Sequence, residues 1–224
     1  METSDLIRQL TASAVPVRRL APPWRRTAAW LAIALPYVAL VVVLMSPRDD
    51  LARQWVDAQF QVELVSAVLT AILAAGAAFA MTVPGQSRLI WMLPVAPLAV
   101  WLASLGRNCI ADWLAQGPDG LRLRIDWECL PPAFVAGIVP AVAMVAMLRR
   151  GAPLFPRATV AMGALAVAAL ANAGLQLYHD EDASLMVLVW HLGSVALLAA
   201  LASWLGRFVL RWPEAAVPSR IVQW

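Results

Sequence analysis

The chain has 224 residues, of which 62% are hydrophobic and only 14% charged, with a formal net charge of +3 and a mean hydropathy of +0.72. Soluble domains are near half apolar and a quarter charged, so this balance excludes an ordinary aqueous globule and identifies an integral membrane protein. The length leaves room for several spans of roughly 20 residues but not for a separate aqueous domain of typical size.

Residues 1–26 are polar and precede the first apolar run. Thr3, Ser4 or Asp5 can cap a short helix in which Leu6, Ile7, Leu10 and Ala14 share a face, and Pro16, Pro22 and Pro23 are expected to end it. The reading from pattern alone is a small amphipathic helix on a basic stalk. Arg18, Arg19, Arg25 and Arg26 would hold the stalk to the anionic cytoplasmic leaflet at about 1 kcal/mol each. A docking helix is the competing use of the same pattern.

Six apolar runs follow: 28–45, 60–83, 89–105, 130–148, 158–178 and 184–206. The first is too long for a signal-peptide core and lacks a small-x-small cleavage pattern, so a retained anchor with a kink at Pro36 is expected. The second is rich in Ala and Gly between Ala71 and Ala78, small residues that let helices approach closely in lipid. The third contains Pro94 and Pro97. The fold class is therefore all-α integral membrane, a six-span bundle over 27–206. Its longest polar interruption is an external loop, 106–129, and a tail at 207–224 follows the last span.

Arginine placement orients the bundle, because basic residues in short loops stay on the cytoplasmic side. With both termini cytoplasmic, 12 of the 17 basic residues, all arginine, lie inside, and 11 of the 14 acidic residues lie outside. A bacterial inner membrane is the expected location. The aromatic belt comprises Trp24, Trp30, Trp55, Trp91, Trp113, Trp127, Trp204 and Trp212.

The two cysteines, Cys109 and Cys129, flank the polar interval where spans three and four would emerge. In a compartment that permits disulfides, three uses compete: a staple between helices, a redox- or metal-responsive pair, and two unpaired thiols. His179 and its acidic neighbours could join Cys109 and Cys129 around a metal, although neither CxxC nor HxxxH spacing is present. His191, in span six, is read as a neutral imidazole bonded to Asn172 or Gln176, and Glu63 as a carboxylate at the positive end of a helix dipole. No Gly-x-Ser-x-Gly, phosphate-binding glycine loop or HExxH motif occurs, so no enzyme is expected. No cofactor is expected either. A small metal or solute transporter is the alternative, with His179 in an acidic entry site.

An ordered set of motifs narrows the choice. METSDLIRQLTASAVPVRRLAPP before six spans, TVPGQSR after span two, NCIADW and DWEC around the external loop, RRGAP after span four and HDEDASLMVLVWH entering span six together resemble the NrsF-type anti-sigma factors. The resemblance implies a membrane-bound negative regulator whose partners are an extracytoplasmic-function (ECF) sigma factor and the lipid bilayer, with no direct nucleic acid binding. It implies sequestration by segment 1–26, making Leu6, Ile7 and Leu10 the candidate sigma-factor-binding residues. It also implies a response to heavy metals and oxidants carried by Cys109 and Cys129.

Overall fold

A computed structural model describes residues 3–12, 20–117, 130–151, 155–178 and 193, and the described residues form helices and turns without a strand. The elements are α1 (Thr3–Ala12), α2 (Pro23–Leu44), α3 (Leu51–Gln54), α4 (Ala58–Ala80), a 3₁₀ turn (Arg88–Met92), α5 (Val95–Gln116), α6 (Leu130–Leu148) and α7 (Pro156–Tyr178). Four apolar segments are long enough to cross a bilayer: Pro23–Leu44, Ala58–Ala80, Leu89–Arg107 and Pro156–Tyr178. α6 contributes a further apolar helix of 19 residues. The expected sixth span, 184–206, lies outside the described residues except for residue 193.

Proline opens helices here where the sequence reading has it closing or interrupting them. Pro22 caps α2 and Pro23 is its first residue, a position where the missing N–H costs nothing and the fixed φ suits the helix. The start of α2 is therefore five residues earlier than the hydropathy boundary at Ala28, and Arg25 and Arg26 belong to its first turn rather than to a stalk. Pro94 likewise caps α5, which then runs to Gln116 and ends on Gly117 at φ 65, well past the expected limit at Leu105. Pro36 sits inside α2, which continues on both sides of it.

Among the described helices α4 and α7 make the most extensive contact, and α6 packs on both α2 and α7. Small residues on both partners allow this: Ala67, Ala71, Ala74, Ala75 and Ala78 of α4 and Ala166, Ala169 and Ala173 of α7 are all buried. Without a hydrophobic drive between helices in lipid, such close packing supplies the attraction. At Gly174 the approach leaves no room for a side chain, since a Cβ there would lie 2.6 Å from Val38 Cγ1 of α2.

The interhelical hydrogen bonds fix the relative directions. Along α2, Arg26, Trp30 and Tyr37 reach Met147 O, Pro140 O and Val135 O of α6 in turn, so α2 and α6 are antiparallel. Arg26 also meets the last turn of α4, and the Arg48 amide after α2 donates to Leu177 O at the end of α7. One end of the bundle thus gathers the start of α2, the ends of α4 and α6 and the start of α7. Around it lie Arg25, Arg26, Arg88, Arg149, Arg150 and Arg157. The other end carries Asp49, Asp50, Asp57 and Glu63 beside Arg48, Arg53 and Arg107.

Candidate functional site

α1 forms over Thr3–Ala12, so Ser4 and Asp5, expected as possible caps, lie within its first turn, and Ala14, expected on its apolar face, lies outside the described residues. Every residue in it is exposed, including Leu6, Ile7 and Leu10 at 41%, 56% and 61% of their full areas. Positions 6, 7 and 10 fall on one stripe of a 3.6-residue helix. Asp5 and Arg8 face each other at 3.7 Å on the surface, and the Thr11 hydroxyl donates back to Ile7 O at 2.8 Å. The result is a short helix with its apolar stripe uncovered.

Of the expected sensing residues, Cys109 lies on the backbone of α5, seven residues before the helix ends at Gln116. Cys129 and His179 lie outside the described residues, and so does the pairing expected of them. Among the described residues no group of three or more His, Cys, Asp or Glu side chains could hold a metal ion. His191 is likewise outside. Its expected partner Asn172 is 2% exposed, and Asn172 Nδ2 and Gln176 Oε1 are buried with no hydrogen-bond partner among the described residues.

Just before Cys109, α5 is tied to the start of α4 by a polar clasp. Gln59 Nε2 donates to Ser104 Oγ at 2.8 Å and to Glu63 Oε1 at 3.2 Å, and Ser104 Oγ donates to Glu63 Oε1 at 3.0 Å. Arg107 adds a bond of 3.2 Å to Gln59 Oε1. Glu63 is therefore an interhelical acceptor rather than a helix-end charge; the capping carboxylate of α4 is Asp57, which accepts from the Gln59 amide. The sequence reading missed this set. The signal was the four-residue spacing of Gln59 and Glu63 and the three-residue spacing of Ser104 and Arg107, each pair on one helix face.

The second clasp surrounds Arg26 at the opposite end of α4. The sequence reading places this side chain on the lipid surface, but it is buried, at 6% exposure. Nη1 donates to Thr82 Oγ1 at 2.7 Å and reaches Phe79 O at 3.5 Å, while Nη2 donates to Met147 O at 2.6 Å. The guanidinium lies over the Phe79 ring, 4.6 Å from its centroid. Thr82 Oγ1 donates its own hydrogen bond to Phe79 O at 2.7 Å. A buried cation needs such partners, and these sit at helix C-termini, where carbonyls lack intrahelical donors and the macrodipole is negative. Gly151 completes the fit: a Cβ there would lie 2.5 Å from Thr82 Cβ. Trp30, expected in the aromatic belt, is instead fully buried one turn further along α2, donating to Pro140 O at 3.0 Å.

The family model NrsF, negative regulator of sigma F, matches residues 10–212. The match takes in Leu10 and the whole bundle, and leaves Leu6 and Ile7 just before it. Comparison with curated proteins and with solved structures gives no match.

Proposed function

Since the chain belongs to the NrsF family, the negative regulators of sigma F, we propose that it holds an ECF sigma factor at the bacterial inner membrane through α1 and releases it under stress. Negative regulation of a sigma factor is the property of the family. The observation that carries the docking role is the uncovered stripe of Leu6, Ile7 and Leu10, a helix face suited to an apolar groove on a partner. Substitution of Leu6→Asp or Leu10→Asp is expected to abolish co-purification of the sigma factor while leaving membrane insertion intact. Retained co-purification would place the binding surface elsewhere.

Orientation in this reading puts α1 and the Arg26 end in the cytoplasm, in keeping with the arginines gathered there. A reporter fused after Trp224 should read as cytoplasmic and one inserted near Pro118 as external; the reverse pattern contradicts this arrangement. Cys109 and Cys129 would then face the periplasm, where a thiophilic metal or an oxidant can act on them. Ligation or oxidation biases the bundle toward a state with lower sigma-factor affinity. A hundredfold release needs about 2.7 kcal/mol of differential interaction with the two states, which is within reach of metal binding or disulfide formation. An unchanged stress response in a Cys109→Ser, Cys129→Ser variant would remove the thiols from the mechanism.

A further inference from the structure

We infer that the Arg26 clasp passes the state of the bundle to α1, making Arg26 a positioning residue for sigma-factor binding; this rests on the reading that α1 is the docking element. Three observations meet here. First, Arg26 is at the start of α2, the helix that follows the docking segment, yet its acceptors among the described residues belong to the far ends of two other helices: Phe79 in the last turn of α4 and Thr82 just after it, and Met147 in the last turn of α6. Any displacement of those ends relative to α2 acts directly on the residue that ties the first turn of α2 to the bundle.

Second, α4 is clasped at both ends. Its start is bound through Gln59 and Glu63 to Ser104 and Arg107 of α5, on the helix turn that leads to Cys109. Its end is bound to Arg26. Between the clasps α4 runs as one continuous helix of 23 residues, about 34 Å long, with Ala67, Ala71, Ala74, Ala75 and Ala78 buried. Third, the clasp tolerates little movement. Its hydrogen bonds weaken steeply with distance and angle, and Gly151 and Thr82 are already in close approach. Such a set would respond to a small shift of the ends of α4 and α6 by losing bonds rather than by stretching them. The turns TVPGQSR and RRGAP contribute Thr82 and Gly151 to it.

The test measures sigma-factor Kd and thermal midpoint together, using the full-length protein in nanodiscs and the purified sigma factor. Arg26→Met should change Kd at least tenfold, Thr82→Val should change it in the same direction by less, and Arg26→Lys should recover part of the effect. Trp30→Phe is the structural control: it removes a buried hydrogen bond to α6 on the same helix without touching the clasp. It should lower the thermal midpoint and leave Kd within twofold of wild type. An Arg26→Met protein with unchanged Kd, or Kd changes that simply follow the thermal midpoint across all four variants, would overturn the inference; if Arg26→Met does not fold, Thr82→Val decides in the same way. Wild-type protein that binds no sigma factor at all would overturn the docking reading and this inference with it. Binding that is lost in Leu6→Asp but indifferent to both clasp variants would overturn the inference alone.

Discussion

Arg48 and Asp50 meet where the chain leaves α2, and their pairing holds the turn against the bundle. The Arg48 side chain is nearly fully covered, its Nη2 donates to Asp50 Oδ2 at 3.0 Å and Gln54 Nε2 donates to the same oxygen at 3.0 Å. The hydrogen bonds from Arg48, then from Gln54, hold the Asp50 carboxyl down at about 2. A depressed carboxylate pKa means that the unfolded chain binds protons first. The stabilisation is therefore complete above the ordinary aspartate range near 4 and disappears as pH falls toward 2. Asp50→Asn should lower the thermal midpoint by a constant margin from pH 7 to about pH 4.5, and the margin should close between pH 4 and 2. A margin already closed at pH 5 would show that the pair does not act this way. The sequence could not announce this pairing, because Arg48, Asp49 and Asp50 read equally well as solvated loop charges. The same ambiguity hid Arg26: next to Arg25, which stays outside over the Trp24 ring at 5.1 Å, nothing in the local pattern says which arginine turns inward.

At the scale of elements, the existence of the first five spans was legible in the sequence and their limits were not; the sixth, 184–206, falls outside the described residues apart from 193. Hydropathy finds where lipid can solvate a segment, whereas a helix continues for as long as its backbone bonds and residue propensities allow. Residues 107–116 are polar enough to read as loop, yet Ala111, Leu114, Ala115 and Gln116 are good helix formers and nothing before Gly117 stops them. Cys109 consequently rides on a rigid helix, one turn from the Ser104 bond to α4. α1 shows the same division: its existence and its apolar face were readable from the 6, 7, 10 spacing, because an exposed amphipathic helix is written in local sequence, whereas Ser4 and Asp5, read as possible caps, lie inside it. The interhelical bonds of the clasps, which join residues 41 to 121 positions apart, are written in no local pattern.

For the whole molecule, the two polar clasps and the division of charge give the bundle two chemically different ends joined by α4. One end is basic and includes the start of α2, the helix that follows α1; the other is acid-rich and includes the part of α5 that carries Cys109. Composition and the motif order were enough to identify a helical membrane protein and its family, since both are properties of the chain as a whole. The clasps at the two ends of α4, which the proposed coupling rests on, required the structure. The central claim is that the sigma factor is held at the membrane and let go through the thiols. Its most direct test is the distribution of sigma factor between membrane and soluble fractions of cells, before and after exposure to a thiophilic metal. With the wild-type chain the sigma factor should sediment with the membrane and become soluble on exposure, and in a Cys109→Ser, Cys129→Ser variant it should stay in one fraction throughout. A sigma factor that is soluble from the outset, or a variant that releases it as the wild type does, would contradict the account.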